Sequence, residues 1–220
     1  MTLNLLETPI YGLVDAARYL RLPYQTLRYW TIGRGSMKPV VKLASPEPPR
    51  LSFINLMECH MLSNMRTDYN LRLPKVRHAL RNLADLNPSQ HPLVDRRFET
   101  DNIDVFIREH GRLLNLNKPD QPLFREMVES HLRRIEAKSD GTFSFFPFVE
   151  KRSADEPRII MMNPAISFGR PVISGTGIPT SVIASRFHAR ESISELAAEY
   201  GRSEPEIEEA IRWESRGVAA

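Results

Sequence analysis

Between positions 24 and 42 the chain gathers side chains that donate hydrogen bonds or carry positive charge: Tyr24, Gln25, Thr26, Arg28, Tyr29, Arg34, Lys38 and Lys42. Donors of this kind suit phosphate oxygens and base edges. The charge distribution agrees. Residues 1–80 hold eleven Lys and Arg against five Asp and Glu, a balance of +6, whereas residues 81–149 sum to −1 and residues 150–220 to −2. A whole-chain value of +3 hides this asymmetry. A helical hairpin with no nucleic-acid role has the same outline, and local charge is what favours the DNA-binding alternative.

Two short amphipathic segments must position these residues. In the first, Leu13, Ala16, Ala17 and Leu20 recur at helical spacing, so one stripe faces a core while Asp15, Arg18 and Tyr19 face out. Pro23 breaks that helix and fits the start of a second. There Tyr24, Leu27 and Trp30 fall on an inner side, leaving Gln25, Thr26, Arg28 and Tyr29 outward. After Gly33 and Gly35, residues 37–43 have strand composition, and a Pro-rich turn at 45–49 leads to a second extended piece at 50–53. Together they predict a wing whose phosphate contacts are Arg34, Lys38 and Lys42, with a solvated hairpin as the competing reading.

The wording TLRYW after a helix carrying AARYL resembles the DNA-binding end of MerR-like winged-helix regulators. The resemblance implies that Arg28 and Tyr29 grip the DNA backbone while Tyr24, Gln25 and Thr26 sit at the base-facing end. The family's turn carries a Gly where this chain has Arg21, Leu22 and Pro23.

Downstream, Ser52 is the expected N-cap of a helix with Phe53, Met57, Met61 and Met65 in its core face. Pro74 opens another, with Val76, Ala79, Leu80, Leu83 and Leu86 inside. A central α+β insert is expected over 89–149: short strands at 97–100, 103–107 and 113–116, a helix over 121–137 that includes His131 and Ile135, then the strand-like TFSFFPFV ending at Pro147. Residues 150–157 read as a linker.

The C-terminal region begins with a short strand over 158–162. Gly169, Gly175 and Gly177 read as turn residues, since they match no phosphate-cradling pattern. Pro179 starts a helix, and capping boxes at Ser192/Glu195 and Ser203/Glu206 open two more, with Gly201 closing the first of these. The last helix carries Glu204, Glu206, Glu208, Glu209 and Glu214 against Arg212, which disfavours a DNA groove. Protein contact, dimerisation or partner binding, is expected there through Glu206, Glu209, Arg212 and Trp213.

The stretch NPAISFGRPVISGTGIPTSVI, followed by ISELAAEYG and EPEIEEAIRW, resembles a small domain-of-unknown-function family that occurs in antitoxins. Gly177 replaces the family's usual Arg, so no contact made by that Arg carries over. Joined to a MerR-like front, the domain is similar to VapB-type antitoxins that accompany PIN-domain ribonuclease toxins. That resemblance implies a homodimeric autorepressor that binds operator DNA and masks its toxin.

The expected fold class is mainly α with small β elements: a winged helix-turn-helix over 8–88, the insert over 89–149, and a short-strand plus three-helix domain over 158–216. The single cysteine, Cys59, lies in an apolar helical pattern and reads as a buried structural thiol. No run approaches the roughly 20 apolar residues of a membrane span, and residues 1–9 lack signal-peptide character, so a soluble cytoplasmic chain is expected. The six histidines share no metal-ligand spacing and no nucleophile elbow is present. No metal, cofactor or enzymatic activity is therefore expected. The alternative is a ligand-responsive MerR-like regulator without a toxin, its pocket in the insert near Phe143, Phe145, Phe146 and Phe148.

Overall fold

The computed structural model describes residues 4–68, 73, 74, 76, 77, 90, 91, 93, 94, 126, 129, 133–137, 142–148 and 156–215. Among these the architecture is mainly helical with small antiparallel sheets. The chain divides into two compact units, one of Tyr11–Leu132 and one of Met1–Ile10 with Arg133–Ala220. No helix among the described residues is long and apolar enough to cross a membrane.

In the first unit, β1 (Tyr11–Gly12) runs directly into α1 (Leu13–Leu20). Arg21 then turns left-handed at φ 53°, and the Leu22 N–H reaches back to the Ala17 carbonyl at 2.9 Å, closing the helix before Pro23. Pro23 is the N-cap of α2 (Tyr24–Thr31), its carbonyl accepting from Thr26 and Leu27 at 2.9 and 3.2 Å. Leu13, Ala16, Ala17, Leu20, Leu27 and Trp30 are buried, as the helical spacing predicts. Tyr19 departs from its expected outward placement. It is only 7% exposed, because its ring meets Tyr11 edge to face with centroids 6.2 Å apart.

The segment 37–43 also differs from expectation, for it forms no strand. The N–H groups of Val40 and Val41 bond instead to the carbonyl of Trp30 at 2.7 and 3.1 Å, satisfying an acceptor that the end of α2 leaves open. Strands form one step later, as β2 (Ser45–Pro46) and β3 (Pro49–Leu51) around a cis Glu47–Pro48 bond. With β1 they make an antiparallel sheet of order β1-β3-β2, in register Tyr11↔Leu51 and Ser45↔Arg50.

Ser52 caps α3 (Phe53–Asp68) through reciprocal bonds with Asn55 at 3.2 and 3.3 Å. Phe53, Met57, Met61 and Met65 are buried, as is Cys59, whose thiol is pushed up first by burial and then by Glu58. Polar residues on α3 are buried too: Glu58 accepts from Asn55 Nδ2 at 3.3 Å and meets His91 Nδ1 at 2.9 Å, and Asn64 pairs with His60 at 3.0 Å. Leu73, Pro74, Val76 and Arg77 have helical backbone. The remainder of that expected helix and the three strands expected between 97 and 116 lie outside the described residues.

The second unit opens with a correction. Glu126 and Glu129, in the first unit, are helical, but Ile135 belongs to β4 (Ile135–Ala137), which pairs with β5 (Phe143–Phe145) in register Ile135↔Phe145. Helical spacing placed Ile135 on a helix, and the aromatic strand claims its backbone. Phe145 also exchanges both backbone hydrogen bonds with Met162, each at 2.8 Å. Arg134 is buried under Phe148, its guanidinium 4.3 Å from the ring centroid and Nη2 donating to the Glu156 carbonyl at 2.6 Å. Burial is the main cause that lowers its pKa.

β6 (Ile160–Met161) and β7 (Val172–Ile173) pair antiparallel. Between them Ser167, Phe168 and Gly169 are all left-handed, tied down by Ser167 Oγ donating to the Gly177 carbonyl at 2.9 Å. Gly169 and Gly175 take the positive φ of tight turns, at 74° each. Three helices follow: α4 (Thr180–His188), α5 (Ile193–Tyr200) and α6 (Glu204–Ser215). Ile183, Leu196, Ile207, Ala210 and Trp213 form their buried side. The Ser192/Glu195 capping box and the left-handed Gly201 are both present.

Candidate nucleic-acid interface

Helix α2 turns Leu27 and Trp30 into the core, which forces the intervening positions outward. Gln25, Thr26, Arg28 and Tyr29 therefore occupy its free side. Tyr24, expected on the inner stripe by spacing but at the base-facing end by resemblance, is 41% exposed and joins the outer set.

A tight turn then folds the following residues against that face. The Arg34 and Met37 backbones exchange two hydrogen bonds, at 3.1 and 3.0 Å. Gly33 makes this possible: its φ is +92°, and a Cβ there would lie 2.3 Å from the Met37 carbonyl oxygen. The result is an open concavity of about 710 Å³ lined by Gln25, Thr26, Arg28, Tyr29, Gly33, Arg34, Met37 and Arg66. Five of the eight sequence-predicted donors meet here. Tyr24, Lys38 and Lys42 are exposed but do not line it.

Two arginines that the sequence did not flag complete the site. Arg66, from α3, stacks 5.8 Å over the Trp30 ring and lines the concavity. Arg77 stacks 5.0 Å over Tyr29, donates to the Tyr29 hydroxyl at 3.0 Å and to the Lys38 carbonyl at 2.9 Å. It thereby clamps α2 to the turn. Neither had a local signal, since Arg77 lies 48 residues from Tyr29 in the chain. Three guanidiniums thus line the concavity, and no carboxylate does among the described residues. Such a surface attracts polyanions.

The residues expected to make protein contact are placed differently. Glu209 and Trp213 are buried within the second unit, and Arg212 pairs with Glu209. Glu206 is half-buried, accepting from the Ser203 N–H at 3.0 Å and pairing with Arg202. Glu204 and Glu208 remain exposed on the same helix. Nearby, Arg186 Nε donates to Glu191 at 2.8 Å, while its Nη1 donates to Glu199 at 2.6 Å and to the Tyr200 hydroxyl at 2.9 Å. That guanidinium holds Glu199 below the usual carboxylate range, and the Ser192 hydroxyl does the same for Glu195. For Glu206, partial burial pushes upward, but bonds from Ser203 and Arg202 together outweigh it and leave the group low.

The architecture is that of a mainly helical protein with small antiparallel sheets, and it has a solved counterpart. The crystal structure of Rv2018 from Mycobacterium tuberculosis matches with a TM-score of 0.69 at 22% identity, covering 93% of this chain and 98% of that one, so the two share a fold. The Mycobacterium tuberculosis protein named "Putative antitoxin VapB45" is 25% identical over 229 residues, covering 93% of each chain. A family described as a protein of unknown function (DUF433) matches residues 160–213, which include the whole NPAISFGRPVISGTGIP stretch and all three C-terminal helices up to Trp213.

Proposed function

We propose that this chain is the antitoxin of a toxin–antitoxin pair, that its first unit binds operator DNA as a homodimer, and that its partner is a PIN-type ribonuclease. The observation that carries the DNA half is the concavity in which Arg28, Arg34 and Arg66 gather with Gln25, Thr26 and Tyr29 and, among the described residues, without a carboxylate. Similarity over 93% of the chain to a protein named as an antitoxin supports the partner half.

In this reading the outer side of α2 enters a major groove like the recognition helix of a winged helix-turn-helix. Gln25, Thr26 and Tyr24 face base edges, and Arg28, Tyr29, Arg34, Lys38 and Lys42 engage phosphates. One eight-residue helix supplies few contacts, so a two-fold dimer reading half-sites about 34–36 Å apart is required. The acidic side of α6 serves the protein partner: Glu204 and Glu208 are presented outward, with Glu206 and Arg212 beside them, while Glu209 and Trp213 hold the helix in place.

The test measures affinity for the chain's own promoter fragment across a salt series. Arg28→Ala weakens binding to every sequence and flattens the log–log salt slope by about one, whereas Gln25→Ala relaxes sequence preference. Identical slopes for wild type and Arg28→Ala reject the backbone role. Co-expression with a neighbouring PIN-type reading frame yields a stable complex and relieves growth arrest. Absence of that complex rejects the antitoxin reading.

A further inference from the structure

We infer that Arg66 is a phosphate-binding residue, and that with Arg28 and Arg34 it seats a single backbone phosphate in the concavity beside α2. The inference rests on the DNA-binding reading but adds a contact from a different helix. Arg66 Nε is buried and has no hydrogen-bond partner among the described residues. An unsatisfied buried donor carries an unfavourable desolvation term unless a ligand completes it. The guanidinium lies over the Trp30 ring, which orients the planar group, and Arg66 lines the concavity. Arg28 and Arg34 line the same concavity, and among the described residues no carboxylate there competes for any of the three.

The chemistry selects a phosphodiester. Guanidinium forks match the oxygens of a tetrahedral phosphate, and several convergent cations offset its charge, an arrangement that a lysine with its mobile point charge does not reproduce. Trp30 is also the residue whose carbonyl accepts from Val40 and Val41, so the platform beneath Arg66 is fixed from both sides of the turn. Arg77 is a positioning residue for this seat, since it holds Tyr29 and the Lys38 carbonyl from outside the lining set.

The experiment uses the full chain. Duplex affinity is measured against salt for wild type, Arg66→Met and Arg66→Lys, with circular dichroism confirming fold. Tryptophan emission is followed in parallel during titration with duplex and with inorganic phosphate. Arg66→Met lowers affinity for all duplexes by about tenfold, flattens the salt slope by about one, and abolishes the emission change that phosphate produces. Arg66→Lys keeps the slope but not the full affinity. A folded Arg66→Met protein with wild-type affinity and slope overturns the inference. Where Arg66→Met fails to fold, Arg66→Lys decides, and wild-type affinity in that variant overturns it. If wild type ignores duplex yet shows an Arg66-dependent response to phosphate, the seat stands and the DNA reading falls. If it answers neither probe, both fall.

Discussion

Two helical pairs in this chain use the same backbone device at the same spacing and clothe it in opposite charge. Helices α1 and α5 are each eight residues long, each ends in a left-handed residue (Arg21 at φ 53°, Gly201 at φ 61°), and each is closed by an N–H reaching five residues back. Leu22 bonds to Ala17 at 2.9 Å and Arg202 to Ala197 at 3.0 Å, and the next helix starts two residues later in both pairs. On the second helix, Gln25, Thr26, Arg28 and Tyr29 occupy the steps that Pro205, Glu206, Glu208 and Glu209 occupy in the other. The donors of the first pair open onto a concavity, whereas Glu206 and Glu209 of the second are engaged by Arg202, Ser203 and Arg212. Helix-turn-helix geometry by itself therefore does not select a nucleic acid. Under the proposed function, the residues on the free face do.

The largest expected effects come from removing the ring under each pair. Trp30→Ala and Trp213→Ala, both in buried positions, each destabilise their own unit by about 3–5 kcal/mol in denaturant unfolding followed by circular dichroism. If Trp30→Ala costs much less than Trp213→Ala, the two pairs are not equally anchored.

Charge exchange comes next. Arg28→Glu places the residue type of Glu208 at the same step of the first pair, and duplex affinity by fluorescence anisotropy falls by about a hundredfold at low salt. Undiminished binding breaks the comparison.

Smaller still is the left-handed residue. Gly201 has open space around it but a positive φ, so Gly201→Ala destabilises by about 1 kcal/mol through backbone strain alone. Arg21→Gly relieves the corresponding strain in the first pair, and its unfolding midpoint does not fall. Opposite signs for these two variants sharpen the equivalence of the turns.

The weakest effect is with pH. Glu195, Glu199 and Glu206 all lie below the usual carboxylate range in the folded chain. Their stabilisation is therefore complete above the unfolded value, about 4.3 for Glu, and is lost as pH falls through the folded values. Thermal unfolding of the second unit shifts downward on acidification, and Glu199→Gln, which removes the Arg186 partner, flattens that dependence.

Local features were legible in the chain because their causes are local. The stripe of α1, Leu27 and Trp30 of α2, the Ser52 and Ser192 caps, the Gly201 terminus and the buried methionines of α3 depend on residues within about one helical turn of each other, and all are present, while Tyr24 turned outward. So is the placement of Gln25, Thr26, Arg28 and Tyr29 on one face of α2, which helical period sets, while Arg34 joins them only through the turn at Gly33. Tyr19, the segment 37–43 and Ile135 went another way because a distant partner outweighed local preference: the Tyr11 ring, the open carbonyl of Trp30 and the strand Phe143–Phe145. Arg66 and Arg77 reach Trp30 and Tyr29 only after α3 and the helical backbone at Val76 and Arg77 have packed. Glu209 and Trp213 are interior residues for a similar reason, because helical spacing names a face but not what covers it. Composition and period decided which residues could meet an anion, and tertiary packing decided that three guanidiniums from three separate segments would line one concavity.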